Sequence, residues 1–405
     1  MASVAEIGGG VVGLFSALTL SQRGHEVTVF DDGRFDQGCS FGNSGLLVPS
    51  HFVPLACPGI VAKGLKWLAD PTSPFRIKPS FDPRLARWCW LFQRSCSVAH
   101  VERSSPLLRD LALESLAQYR HLAWTGFREA GLYMGCRTIH GLEEEAKSAE
   151  VAMALGLRAE VLDEPGARKA LPGFEGAGAV HYPEDGQIDP SRLMEALVGQ
   201  VKSHGVALLR EQRVCRLALD GGSAVAFGKD GSPIDADWLV VAAGSRSAEL
   251  LRPLGHDLPL VGGKGYSFVV EQPSPSLGAP VILVEDKVAI SPLGGQVRLG
   301  GTLEIGTKPG EIDIRRVKGI STAARAAFPQ FGTTDPPPGM VWSGQRPCTP
   351  DGLPYIGGLK GVSNLTVATG HAMLGMTLAP ATSRIVADCV EGGTAPSALD
   401  PMRFS

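Results

Sequence analysis

The stretch VAEIGGGVVGLFSALTLSQRGHEVTVFDD, Val4 to Asp32, decides how the rest of the chain is read. A short apolar run, Val4 to Ile7, leads into three glycines and then Val11-Val12-Gly13. Apolar residues follow at Leu14, Ala17, Leu18 and Leu20, a helical spacing. Gly24 suits the C-terminal cap of that helix. Val27 to Phe30 reads as a buried strand ending in Asp31 and Asp32. The stretch predicts strand, glycine turn, helix and second strand. GxGxxG falls on Gly8, Gly10 and Gly13. Gly8 allows the tight turn, Gly10 lets backbone approach a pyrophosphate, and Gly13 lets the helix pack on the strand. Phosphates would sit at the helix N-terminus, beside Val11 and Val12, where free N–H groups and the dipole favour anions. Asp31, with Asp32 next to it, stands where an acid bonds ribose hydroxyls. The alternative is a glycine-rich turn with no ligand; the acid at the strand end favours the dinucleotide.

The remainder is globular in composition. At 405 residues, 44% apolar and 20% charged, the chain can build more than one core. A net charge of −3 argues against general nucleic-acid binding. Glycine makes up 51 of the 405 residues, well above the usual ~7%. No G-X-Y period accounts for the excess, which belongs in turns and where backbone approaches a ligand. The eight cysteines form no CxxC and no zinc-site spacing with histidine, so no metal is expected. Scattered cysteines in a chain of this size read as free thiols in a reducing compartment. No basic segment precedes an apolar run at the start, and no apolar run reaches ~18 residues. A cytoplasmic protein is expected.

Beyond the opening unit, residues 39–58 read as loop, followed by short apolar segments at Ile60–Leu68 and Leu85–Phe92 broken by prolines such as Pro71 and Pro79. Residues 106–130 read as one amphipathic helix, and residues 143–171 as two short helices with a strand between. Pro190 to Ser203 reads as a helix behind an Asp-Pro-Ser start. Val206 to Leu219 reads as a strand, with a hairpin around Lys229-Asp230-Gly231 and a buried strand ending at Ala243-Gly244. Residues 258–305 are strand-rich, 311–328 helical, and Leu378 to Val390 forms a closing helix. Thr369-Gly370-His371 is a third glycine motif near the C-terminus. A cofactor site assembled from three distant segments fits extended FAD better than NAD.

Four blocks carry a family resemblance: the N-terminal unit, Ser40 to Leu68, Leu258 to Phe268, and Ser343 to Pro380. The chain resembles the flavin-dependent amino-acid oxidoreductases of the D-amino-acid oxidase and glycine oxidase superfamily. Within that superfamily it is most similar to the small subunit of bacterial D-amino acid dehydrogenase. The resemblance implies an α/β chain with a discontinuous Rossmann-like FAD-binding domain over 1–85, 185–255 and 340–405. A substrate domain over 86–184 and 256–339 would hold a mixed, largely antiparallel sheet with flanking helices. Ser40, Asn43, Ser44, Gly45 and Leu46 would wrap the pyrophosphate and the pyrimidine side of the flavin. Val214 would meet the adenine, with Ala243 and Gly244 ending a strand beside the cofactor. Gly370, His371, Met373, Leu374, Gly375, Met376 and Thr377 would run along the flavin edge. Gly344 stands about where some sarcosine-oxidising relatives attach flavin to a cysteine, and Cys348 lies four residues later, so non-covalent FAD is expected.

For substrate, the resemblance makes Arg346 the carboxylate clamp; a guanidinium fork matches a carboxylate with two hydrogen bonds. Tyr266 is a candidate for the same carboxylate or the pocket wall, His51 for the active-site face of its loop, and Glu304 for the substrate amine. His371 is not expected to act as a base, because the relatives move hydride from Cα directly to flavin N5. The activity implied is oxidative deamination of D-amino acids, including cyclic ones such as D-proline or hydroxy-D-proline. Electrons would pass to a quinone or other carrier. The alternatives are a glycine or sarcosine oxidase using oxygen, and an FAD-binding subunit of a heteromeric complex. Apolar, aromatic and basic residues interleaved from Ser50 to Phe92 suit peripheral contact with the inner face of the cell membrane, or a substrate-domain cap or subunit interface.

Overall fold

The computed structural model describes residues 1–35, 38–67, 73–78, 81–332, 335–336 and 338–405, without the side chains of 65–67 and 338. Leu68, Pro71 and Pro79 lie outside the described residues. Two large sheets organise the chain. The first runs in the order Tyr355–Leu359, Val362–Thr369, Trp238–Val241, Ser3–Ile7, Glu26–Phe30 and Ala207–Leu209. Its neighbours are parallel except for the hairpin at the Tyr355–Leu359 edge. Parallel strands are covered on both faces, which is why Leu239, Val240 and Val241 form an unbroken apolar run.

The helix Val11–Gln22 follows the glycine turn as predicted. It is buried on more than one face, with Phe15 and Ser16 enclosed as well as Leu14, Ala17 and Leu18, because the helices Gly375–Val390 and Pro190–Ser203 both pack on it. Gly24 holds φ 87, the left-handed conformation expected at that cap.

The second sheet is mixed and mostly antiparallel, in the order Trp342–Cys348, Val261–Glu271, Gln296–Ile305, Val288–Pro292, Val281–Leu283, Leu132–Cys136, Gly178–Tyr182 and Glu160–Asp163. The short strand Phe75–Ile77 also pairs with Gln296–Ile305. The helix Ile314–Ala327 covers one face, its Val317, Ile320 and Ala324 meeting Tyr266, Phe268 and Leu299.

Several elements depart from the sequence reading. The helix predicted over 106–130 spans Val98–His121, capped by the Ser97 side chain, which accepts the His100 N–H at 3.2 Å. It packs on Gly375–Val390 and shares the core of the parallel sheet. Val206–Leu219 divides into Ala207–Leu209 and Arg216–Asp220, which join different sheets. The polar run Arg210 to Arg213 separates them, with Glu211 left-handed at φ 58. Phe75–Ile77 and Trp342–Cys348 belong to the mixed sheet, although the domain reading put 1–85 and 340–405 on the FAD side.

Candidate active site

One cavity of about 1040 Å³ runs from the glycine turn to the mixed sheet, lined by residues of both sheets. At its first end stand Gly8, Gly10, Val11, Val12, Asp31 and Asp32, as the sequence placed them. A Cβ at Gly8 would lie 2.5 Å from the Ala242 carbonyl oxygen, at φ 118. A Cβ on Gly13 would come within 1.9 Å of the Gly8 oxygen. Gly13 therefore lies beneath the turn rather than on the cavity wall. At Gly10 a Cβ would meet only the Ser40 hydroxyl, at 3.7 Å, so this face of the turn is open. The Val11 N–H donates to Ser40 Oγ at 3.0 Å, and the N-cap residue itself, Gly10, brings no side chain to cap the helix. Asp31 accepts the Gly9 and Gly33 N–H groups at 2.7 and 2.8 Å, and Asp32 takes Arg246 at 2.7 Å. Glu6, fully buried, finds no partner for either oxygen among the described residues, and burial lifts its carboxyl well above the usual range.

Ser40, Asn43, Ser44 and Leu46 line the cavity, as do Val214, Ala243 and Gly244, with Ala243 directly beside Gly8 of the turn. Gly45 does not line it: at φ 72 its α-carbon presses on the Ile188 carbonyl, where a Cβ would come within 2.0 Å. His371, Met373, Leu374, Gly375 and Met376 bring the uncapped start of the helix Gly375–Val390 to the wall, where its free N–H groups favour negative charge. Gly370 sits behind them against Thr349. Thr377 is sealed inside; its hydroxyl accepts the Val48 N–H and donates to the Leu46 carbonyl, each at 3.3 Å, fastening helix to loop. The His371 ring bonds Thr382 at 2.9 Å, and burial pushes it down to about 3. These residues fit FAD: an open cradle of backbone amides beside an acid, two uncapped helix starts, and room for an extended molecule.

At the far end Arg346 projects from the strand Trp342–Cys348 across Gly265, where a Cβ would meet its Nη1 at 2.1 Å. Nη1 donates to the Thr302 carbonyl at 2.7 Å. No acidic side chain among the described residues pairs with Arg346, and burial pulls its pKa down from the ordinary value. A cation enclosed without a counter-charge is a receptor for a carboxylate. Thr302 is itself unusual: β-branched, left-handed at φ 68, with a buried hydroxyl that finds no partner among the described residues. Gly344 is pressed against the Trp342 ring rather than facing the cavity. Cys348 is buried behind the wall, while Cys39 lines it and donates to the Gln345 carbonyl at 2.8 Å.

Tyr266 and Glu304 are not at this site. Both side chains face the helix Ile314–Ala327 on the other side of the sheet. Tyr266 donates to Glu304 at 3.0 Å and accepts the Asp313 N–H at 3.1 Å. Glu304 pairs with the buried Arg316 at 3.2 Å. Strand alternation sends Leu303 and Ile305 into the cavity and Glu304 away from it.

His51 lines the cavity, half-buried, and its pKa is pushed down to about 4 by burial and by the charge of Lys287. Lys287, also on the wall, stands just before the strand Val288–Pro292 with φ 53, and burial pulls its pKa down. Sequence reasoning missed Lys287, Thr302 and Cys39. Only the two left-handed backbones mark the first two, and those are visible in the fold alone.

A family model described as DAO, FAD dependent oxidoreductase, matches residues 4–389. The chain belongs to this family of FAD-dependent oxidoreductases, and FAD is its cofactor. Among relatives, the D-amino acid dehydrogenase of Rhizorhabdus wittichii is 34% identical and the alignment covers 96% of each chain. That of Vibrio cholerae is 32% identical, covering 100% of this chain and 99% of the relative. Among solved structures, glycine oxidase from Geobacillus kaustophilus superposes with a TM-score of 0.80 at 25% identity, over 100% of this chain and 99% of that one. L-proline dehydrogenase from P. horikoshii shares the fold, with a TM-score of 0.73 at 20% identity, over 99% and 97% of the two chains.

Proposed function

We propose that the chain is a D-amino acid dehydrogenase. The observation that carries this reading is Arg346, a cation without an acidic partner among the described residues, in the wall of an FAD-sized cavity. Near-full-length similarity to D-amino acid dehydrogenases supports it. Arg346 holds the substrate carboxylate, with its guanidinium fixed by Thr302. Val48, Met134, Ile282, Ala289 and Leu303 give the surrounding wall an apolar surface suited to a neutral side chain. The glycine turn, the 40–46 loop and the Gly375–Val390 helix would hold FAD without a covalent bond, and FAD would supply the acceptor for the Cα hydride. The product is an imino acid that water hydrolyses to a 2-oxo acid and ammonia. D-proline or a hydroxy-D-proline would give a cyclic imine instead.

Electrons then leave to a quinone or similar carrier. The helix Pro83–Ser95 supports contact with a membrane where such carriers reside. Trp88, Cys89 and Phe92 line the cavity, while Trp90 on the same helix is 56% exposed with Arg94 4.7 Å above its ring. No helix among the described residues is long and apolar enough to cross a membrane. Similarity to glycine oxidase favours a second reading, a glycine or sarcosine oxidase that reduces oxygen. A two-part assay separates them. With D-amino acid as donor, the dehydrogenase reduces a soluble quinone and forms little peroxide in air. Peroxide at the rate of substrate consumption, with glycine or sarcosine as the best donor, would replace the first reading by the second. Benzoate should perturb the flavin spectrum of the wild type and not that of Arg346→Ala.

A further inference from the structure

We propose that His51, Ser50 and Asp185 form a proton relay that takes the proton from the ammonium group of the bound amino acid. The relay rests on the reading above, since it needs an amino-acid substrate. An amino acid arrives as a zwitterion, and its nitrogen needs a free lone pair before Cα can give up hydride. A base at the cavity wall must therefore accept one proton. His371 is unsuited, because its Nε2 is spent on Thr382. Burial raises the Cys39 and Cys57 thiols.

The geometry of the three residues fixes the direction of transfer. Ser50 Oγ lies 2.5 Å from Asp185 Oδ2 and 3.1 Å from His51 Nδ1. A carboxylate only accepts, so the serine proton points at Asp185. The serine oxygen then accepts from His51, which places the imidazole proton on Nδ1 and the lone pair on Nε2. Among the described residues Nε2 has no hydrogen-bond partner, and it is absent from the buried unpartnered atoms, so it opens on the cavity. The Ser50 N–H also donates to Asp185 Oδ1 at 3.1 Å, so serine and carboxylate meet at two points. A small sheet holds them in register: Leu46–Leu47 pairs with Gly186–Gln187, and Ser50 and Asp185 flank that pairing.

In the forward direction the substrate ammonium gives its proton to His51 Nε2. The Nδ1 proton passes to Ser50, and the serine proton passes to Asp185. The products are a neutral amine, a neutral His51 protonated on Nε2, and a neutral Asp185; no electrons move. The relay resets when Asp185 returns its proton through His51 to water. Burial lifts Asp185 to about 7, with Glu184 adding to the rise and Ser50 opposing it. His51, facing Lys287, stands near 4, so the transferred proton comes to rest on Asp185. Lys287 in turn faces Glu145, Glu285 and Lys63, and Tyr182 lies near Asp185. Burial first, and the charge of Lys287 second, keep His51 neutral before it takes the proton.

The test is anaerobic flavin reduction in the holoprotein by a D-amino acid, followed across pH. The wild-type rate should rise through a step near pH 7, as Asp185 loses its proton. His51→Gln, Ser50→Ala and Asp185→Asn should each fall about 100-fold at neutral pH. Each should recover near pH ~10, where the amine sheds its proton in water unaided. A purely structural role would lower the rate equally at every pH. Rates and profiles unchanged from wild type, or a uniform loss, would overturn the relay. Infrared difference spectra provide a readout without substrate: a protonated-carboxyl band should titrate near pH 7 in the wild type and vanish in Asp185→Asn. Absence of that band from the wild type would equally overturn the relay. A wild type reduced by no D-amino acid overturns the substrate reading itself; one reduced without any pH step overturns the relay alone.

Discussion

Arg346 concentrates the substrate account in one side chain, and glycine makes room for it. A charged hydrogen bond contributes about 1.5–3 kcal/mol, so losing a paired contact should cost on the order of 10²-fold or more in kcat/KM. Arg346→Ala should show that loss while keeping its FAD; a variant with wild-type kcat/KM would remove the carboxylate role. Gly265→Ala places a methyl 2.1 Å from Nη1 and must displace the guanidinium. We expect KM to rise at least tenfold with the fold intact, read by steady-state kinetics beside circular dichroism. His371 makes a pH prediction. Its folded pKa, about 3, lies below the ordinary ~6.5, so the folded state binds fewer protons between those values. Stability from that neutral ring is present above ~6.5 and is lost as pH falls. The wild type should lose about 1.4 kcal/mol per pH unit relative to His371→Gln in that window, by denaturant unfolding. The raised carboxyls of Glu6 and Asp185 act oppositely but cancel from the difference. Among residues, Arg346 was legible because it sits in a linear motif. Tyr266 and Glu304 were misplaced because facing depends on strand alternation and on the irregular register between Lys264 and Tyr266. The link from Ser50 to Asp185 crosses 135 residues through a two-residue pairing, which no local pattern announces.

The opening unit is the element on which cofactor binding depends. Its N-cap, Gly10, has no side chain, and beyond the Val11 N–H held by Ser40 the first turn is left for a phosphate. Gly13 sits where that helix crosses the turn, and a methyl there would strike the Gly8 oxygen at 1.9 Å. Gly13→Ala should therefore be recovered with most of its FAD missing, measured by the ratio of flavin to protein absorbance; full occupancy would contradict the close-packing role. This unit was readable because strand, turn, helix and strand are contiguous and each obeys its own period. The helix read from residue 106 was harder. Proline prefers the first helical turn, and the predicted helix begins at Pro106. Ser97 is the actual cap, and Pro106 lies inside the helix. The Val206–Leu219 stretch looked continuous because apolar residues resume after its polar run, whose left-handed Glu211 and the different sheets of its two halves belong to the fold.

Across the whole molecule the cavity is a product of two sheets meeting, with the parallel sheet presenting the turn and the mixed sheet presenting Arg346, Thr302 and Lys287. Family membership and the two-sheet plan follow from motifs spread over nearly the full chain. The assignment of Phe75–Ile77 and Trp342–Cys348 to the mixed sheet does not, because strands choose partners through contacts between segments hundreds of residues apart. A cofactor spanning both sheets should stabilise both. Ligand at 100 times its Kd contributes about 2.7 kcal/mol, so stripping FAD should lower the thermal midpoint by several degrees and adding it back should restore the midpoint. An unchanged midpoint would place the cofactor outside this cavity.

The central claim is that this cavity oxidises D-amino acids. The most direct measurement is anaerobic bleaching of the purified holoprotein's flavin by paired D- and L-amino acids, with glycine, sarcosine and the proline and hydroxyproline stereoisomers alongside. The account predicts rapid loss of the yellow absorbance with D-compounds, slow or no loss with their L-partners, and near-abolition of the response in Arg346→Ala. Bleaching by L-amino acids, by glycine or sarcosine alone, or to the same extent in Arg346→Ala would contradict it.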